Sequence, residues 1–372
     1  MKKAKVVIAS VLKPVTDTRA FDKLAISLCE TNKYHINIIG FLEKKTAKIA
    51  NIEYSTIFSR HRLHPFRFFA PFNFAYHLTK YKPDLVIVTT YELLLAAAFI
   101  KKLMGFKLIY DIQENYSKNI QYNHTLPNWL KTVPVKYIQF VEKITNSSID
   151  QYLFAEQCYV DEFPHISNFT VLENKYVEKI IPQAPLKLGF SSLKFIITGT
   201  ITPVFGSLDA LYWFKYIQEK LPQATLEIIG HVPLGAFKKT LENTAKNIPN
   251  VMLNISKKPI PQSQVYERMK ASDILLLPYQ KTPSIWPKIP TKIYEALALG
   301  LPVIIPKNKL WESLISPYPA GVALDFLNPE KSMDGLKKLL ETELFLTPVS
   351  KEVLWEAEKK NLQTLVAELL NN

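Results

Sequence analysis

The stretch Lys288 to Pro306, KIPTKIYEALALGLPVIIP, constrains this chain more than any other. Pro290 suits the first turn of a helix, where its missing N–H leaves no bond unmade. Gly300 ends that helix, and Val303 to Ile305 follows as a short apolar run, suited to a strand buried on both faces. The N–H groups near Thr291 and Lys292 point out of the helix start, and with the helix dipole they form an anion site. Lys292 and Glu295 lie three apart and share a face. This set suits a nucleoside diphosphate. The phosphates take the N–H groups and the cation, and the carboxylate, which only accepts hydrogen bonds, holds two ribose hydroxyls. The same residues also fit an ordinary surface helix with a weak Lys–Glu pair.

The rest of the chain repeats the strand-and-helix theme. Lys5–Ser10, Ile36–Ile39, Leu85–Thr89 and Lys107–Asp111 are apolar strand candidates, and Gln151–Phe154 is expected to close their sheet. Helical spacing at Phe21, Leu24, Ala25 and Leu28 leaves a polar loop, Lys13 to Arg19, at the carboxyl end of the first strand, where open α/β sheets bind ligands. Asp17 there is either ligand-facing or a helix cap. Residues 180–192 hold two prolines, a glycine and serines, and mark a linker. A second series follows, with strands at Leu193–Ile197, Thr225–Ile229, Val251–Ile255 and Ile274–Leu277. The loop Thr198 to Gly206 offers N–H groups at Gly199 and Thr200 but no basic side chain. Tyr279 and Trp286 border the opening stretch, either beside a ligand or packed in the core. Alternating strands and helices imply doubly wound parallel sheets.

The segment PTKIYEALALGLPVI resembles the donor site of family 4 glycosyltransferases, which have the GT-B fold. The resemblance implies two Rossmann-like domains facing across a cleft, with a C-terminal helix crossing back to the first. It places an acceptor domain at 1–185, a nucleotide-sugar domain at 186–349 and the crossing helix at 350–372. It implies that Gly199, Thr200, Tyr279, Pro290, Thr291, Lys292 and Glu295 bind the donor, with Glu295 on the ribose. KPVTDTR and DIQENY are similar to further family segments, which makes Asp17, Arg19, Gln113 and Glu114 the catalytic candidates. Gln113 stands where the family usually has histidine, and Pro287 where many members have a second glutamate. The implied reaction moves a sugar from a UDP- or GDP-linked donor to a glycan or lipid-linked acceptor with retention of configuration. Neither a cofactor nor a metal is expected. A scaffold that binds nucleotide-sugar or glycan without turnover, and a sugar-nucleotide 2-epimerase, are the alternatives.

Composition narrows the remainder. The chain is 48% hydrophobic and 21% charged, which excludes a disordered protein. Cys29 and Cys158 form neither a disulfide framework nor a zinc site, which suits a reducing, cytoplasmic setting. The opening residues suit a first strand better than a signal peptide, and the longest apolar run, Leu93 to Ile100, is too short to span a membrane. The net charge is +13, with 15 Lys and Arg against 7 Asp and Glu in residues 1–100. No nucleic-acid-binding signature accompanies it, so nucleic acid is not expected as a partner. Tyr54 to Pro83 holds Arg60, Arg62 and Arg67 among many aromatics and no acid. That pattern predicts either peripheral contact with an anionic membrane or a core helix whose arginines grip an acidic acceptor.

Overall fold

A computed structural model of the 372-residue chain describes residues 3–42, 46, 48–59, 65–122, 127–181, 184–190 and 192–371. It divides into two compact units, Met1–Val177 with Trp355–Asn372, and Glu178–Leu354. The first unit therefore includes the C-terminal helix Trp355–Asn371.

In the first unit the β-branched runs form β1 (Ala4–Pro14), β2 (Tyr34–Phe41), β3 (Ile52–Ser55), β4 (Leu85–Val88), β5 (Lys107–Ile112), β6 (Gln151–Phe154) and β7 (Phe169–Val171). They lie in the order β3-β2-β1-β4-β5-β6-β7, and every ladder between them is parallel. The expected closing strand, β6, is not the edge: β7 pairs outside it. β7 has three half-buried residues, FTV, too short a run to stand out in the sequence.

Both faces of this sheet are covered, which is why its strands are apolar throughout and not alternating. Val7 and Ala9 face the helices Ala70–Tyr81, Leu94–Met104 and Asn128–Thr145 through Phe74, Leu78, Leu94, Ala97 and Val141. Val6 and Ile8 face the opposite way, toward Leu24, Leu28 and the C-terminal helix residues Trp355, Leu362 and Val366. That helix is pinned by polar contacts as well. The Trp355 indole N–H donates to Ser27 Oγ at 2.9 Å, and Gln363 Nε2 to the Ser27 carbonyl at 2.7 Å. The aromatics of Tyr54 to Pro83 divide between two environments: Phe58 and Phe74 are core, whereas Phe68 is 85% exposed.

The second unit repeats the design with β8 (Lys194–Thr200), β9 (Thr225–His231), β10 (Val251–Ser256), β11 (Ile274–Leu276), β12 (Val303–Ile305) and β13 (Gly321–Ala323), in the order β10-β9-β8-β11-β12-β13. Again every ladder is parallel. Its strand order reverses between β8 and β11, and that of the first unit between β1 and β4. Among the described residues no helix is long and apolar enough to cross a membrane.

One half-buried acid gives the first unit a pH signature. Glu142, on the helix Asn128–Thr145, accepts from the Tyr110 hydroxyl at 3.2 Å, and burial pushes its carboxyl up to about 7. The folded protein therefore keeps a proton on Glu142 that the unfolded chain releases above its ordinary value of 4.5. Stability is undiminished by this group below that value and falls as pH rises toward about 7, by about 3 kcal/mol in all. Urea unfolding followed from pH 4.5 to 8 is expected to show this decline in the wild type and a flatter profile in Glu142→Gln. Equal pH slopes in the two proteins overturn the assignment.

Candidate functional site

The switch point of the second sheet gathers the candidate residues of the second unit, as expected where helices leave a parallel sheet in opposite directions. β8 ends in Gly199 and Thr200. The chain then turns through Pro203–Phe205 into the helix Ser207–Lys220. β11 leads through a proline-rich loop to Pro290, the N-cap of the helix Thr291–Leu299. No side chain caps either helix start. The early N–H groups at Ser207 and at Thr291 and Lys292 thus stay available to an anion.

Two glycines permit the approach. At Gly206 the backbone has φ +68°, and a Cβ would lie 1.7 Å from the Pro278 carbonyl oxygen, so no other residue fits without moving that loop. At Gly199, φ is +104° and a Cβ would meet Lys292 Cε at 3.4 Å. The glycine loop and Lys292 are therefore neighbours.

Lys292 Nζ donates to Glu295 Oε2 at 2.5 Å. This is no surface pair: Glu295 is 7% exposed, on a helix whose residues Ile293 to Ala298 are all buried. A buried pair of this kind is poor evidence for a stabilising role, because removing both charges from water offsets their attraction. The pair also leaves most acceptor positions of the carboxylate unused. Tyr279 is close by. Burial first, and the Glu295 charge second, push its hydroxyl above the ordinary range. Its ring packs on Phe205 at 4.8 Å and on Trp311 at 5.9 Å, and Trp286 also packs on Trp311. The Trp311 indole donates to the Lys288 carbonyl at 2.6 Å. These rings brace the loop that precedes the helix.

In the first unit the candidates have different partners. Asp17 caps the turn Thr18–Ala25, its Oδ1 accepting from the N–H groups of Arg19 and Ala20, and Lys13 lies 3.7 Å from its other oxygen. Arg19 lies in the turn after β1, at the carboxyl end of the sheet as expected, and is 3% exposed. Its Nε and Nη2 donate to Asp111, its Nη1 to the Leu172 carbonyl, and its guanidinium lies 5.7 Å from the Trp355 ring. Asp111, which no sequence motif singles out, is the hub; it is 0% exposed and also accepts from Gln113 Nε2 at 2.9 Å. That bond orients the Gln113 amide with its carbonyl oxygen away from Asp111. Glu114 accepts from Asn119 Nδ2 at 2.9 Å. Arg67 is bound to Glu92, and Arg60 and Arg62 lie outside the described residues. Among the described residues no group of three or more His, Cys, Asp or Glu is placed to hold a metal ion.

Residues 188–354 match the family model described as Glycosyl transferases group 1. The match contains the whole switch-point site of the second unit. No curated protein matches the sequence. Among solved structures, sucrose-phosphate synthase (tll1590) from Thermosynechococcus elongatus is similar over 99% of this chain and 100% of its own, at 12% identity and a TM-score of 0.74. Anabaena Alr3699/HepE, solved in complex with UDP and glucose, is similar over 99% of this chain and 100% of its own, at 14% identity and a TM-score of 0.65. A Listeria monocytogenes putative UDP-N-acetylglucosamine 2-epimerase is similar over 99% and 98%, at 11% identity and a TM-score of 0.60. At these identities the likeness shows the fold alone, which is GT-B with two Rossmann-like domains.

The Arg19–Asp111 geometry predicts a structural phenotype. Arg19→Met leaves a buried carboxylate unpaired and is expected to cost about 3–5 kcal/mol in urea unfolding, with much of the loss recovered in Arg19→Met/Asp111→Leu. A single variant as stable as wild type overturns the structural role.

Proposed function

We propose that this protein is a retaining, family 4 glycosyltransferase that moves a sugar from a UDP- or GDP-linked donor to a glycan or lipid-linked acceptor without a metal. The observation that carries this reading is the Lys292–Glu295 pair, buried at an uncapped helix start beside Gly199. All of it lies within the residues matched by the group 1 model. In this reading the N–H groups of Thr291 and Lys292, with the Lys292 ammonium, receive the diphosphate and stabilise its charge as it leaves. Glu295 accepts from the ribose hydroxyls. Gly199 and Thr200 offer backbone N–H groups to the phosphates, Pro290 sets the helix start, and Tyr279 holds the loop shape. In the first unit, Gln113 presents its carbonyl oxygen to a sugar hydroxyl, Glu114 joins it at the same strand exit, and Asp17 and Arg19 hold the turn beside them. The basic, aromatic surface of that unit supports peripheral attachment to an anionic membrane, in keeping with a cytoplasmic protein of cell-envelope polysaccharide synthesis.

A scaffold that binds without turnover is the second reading. It is favoured by Pro287, in place of a glutamate, and by the absence of any basic side chain from Thr198 to Gly206. Incubation with a panel of UDP-, GDP- and dTDP-sugars and saccharide acceptors, in EDTA, separates the readings. Acceptor-dependent release of nucleoside diphosphate supports transfer. Binding without release supports the scaffold, and conversion of the donor without acceptor supports an epimerase.

The donor contacts make a sharper prediction. Glu295→Gln is nearly isosteric and is expected to weaken nucleotide binding by about 1.5–3 kcal/mol, roughly ten- to a hundredfold, in calorimetry. Lys292→Met is expected to weaken UDP or GDP more than the bare nucleoside, because it removes a phosphate contact. Unchanged nucleotide affinity in Glu295→Gln, with the fold intact by circular dichroism, overturns its ribose role.

A further inference from the structure

The three helices Ala70–Tyr81, Leu94–Met104 and Asn128–Thr145 lie side by side on one face of the first sheet. Their inner sides supply the core. Their outer sides are apolar as well, which a solvated helix layer does not require. On the first helix Phe72 is 72% exposed and Tyr76 71%, one turn apart. On the second, Phe99 and Leu103 repeat the pattern at 63% and 68%. On the third, Trp129, Val133 and Phe140 form a stripe at 77%, 74% and 58%.

Charge on this layer has one sign. Its ionised side chains are Lys80, Lys101, Lys102, Lys131, Lys136 and Lys143, against a single acid, Glu142, which turns inward to Tyr110. Lys101 is tied to Asp150 and Lys131 to the Gln121 carbonyl, while Lys80, Lys102, Lys136 and Lys143 are exposed among the apolar side chains. A second copy of the chain is a poor occupant. A two-fold contact would set lysines against lysines, and lysine is depleted from protein interfaces. An anionic lipid surface satisfies both halves of the pattern. Phosphate headgroups meet the ammonium groups, and the aromatic and aliphatic side chains enter the acyl boundary.

We propose that the outer face of this three-helix layer docks onto an anionic phospholipid membrane. The proposal deepens the membrane reading above by naming the face, and it does not depend on sugar transfer. It moves the contact from the arginines of Tyr54 to Pro83 to helices that continue as far as Thr145. Trp129 is the natural reporter, since Trp213, Trp311 and Trp355 are buried and Trp286 is half-buried against Trp311 in the other unit.

The full chain is mixed with vesicles of phosphatidylglycerol or phosphatidylcholine and sedimented. Binding is expected with phosphatidylglycerol, weaker in salt, with brominated lipid quenching a fluorescence component that Trp129→Phe removes. Phe99→Ser/Val133→Ser/Phe140→Ser and Lys136→Ser/Lys143→Ser are each expected to lower vesicle partitioning about tenfold or more. These exposed changes are expected to leave UDP affinity unchanged, so failure of donor binding and failure of docking are read separately. Wild type remaining in the supernatant at low salt, or equal binding to both lipids, overturns the proposal. So does self-association in light scattering that the triple serine variant abolishes, which would make the face a contact between copies.

Discussion

An open parallel sheet returns the chain to the same end after every strand, and when helices cover both of its faces its order reverses somewhere. Here it reverses between β1 and β4 in one unit and between β8 and β11 in the other. At each reversal the crossovers leave in opposite directions, so loops and helix starts converge at the carboxyl ends of two neighbouring strands. The polar chemistry of the second unit follows from this. Gly199 ends β8, the loop after β11 supplies Pro290, and two uncapped helix starts face the same gap. Nothing in the individual side chains would gather them. The close approach of Gly206 to the Pro278 carbonyl then holds the β8 and β11 exits together.

Two buried ion pairs in this protein show how partners separate structure from function. Arg19 and Asp111 are inaccessible, and Arg19 donates from Nε and Nη2, one edge of its guanidinium, to Asp111 and from Nη1 to the Leu172 carbonyl, while Gln113 adds a further donor to the carboxylate. Such a network has little capacity left for a ligand and ties β5, the turn after β1 and Trp355 into one body. Lys292 and Glu295 make one bond to each other. The ammonium has further donors and the carboxylate further acceptors, beside open N–H groups and a glycine. The pair is poised to exchange partners, and it is the better placed of the two for binding.

Sequence patterns carried different parts of the structure unequally. Long apolar runs such as Lys5–Ser10 and short ones bounded by glycine, such as Val303–Ile305, located strands because burial on both faces requires unbroken aliphatic side chains. β3, β7 and β13 escaped, being three or four residues long and only partly buried. The helix Thr291–Leu299 was legible because proline, glycine and the Lys–Glu spacing each have a local meaning. Arg19 was not, because its partner is ninety-two positions away and a loop arginine carries no mark of burial. Asp111 was hidden for the same reason: an acid at a strand end looks alike whether it faces ligand or a distant guanidinium.

The aromatics of the first unit pose the same problem at larger scale. A phenylalanine in a helical register signals an apolar face, yet it does not say which side of the helix that face occupies. Phe74 and Leu78 follow helical spacing into the core, and Phe72 and Tyr76 follow the same spacing outward. Only the placement of the sheet tells them apart. What the sequence does show is the missing acids. An ordinary wet face carries both signs of charge, which keeps it solvated and discourages association. A helix layer with cations and rings on its outer side lacks that mixture, and the fold beneath it does not require the exposed rings.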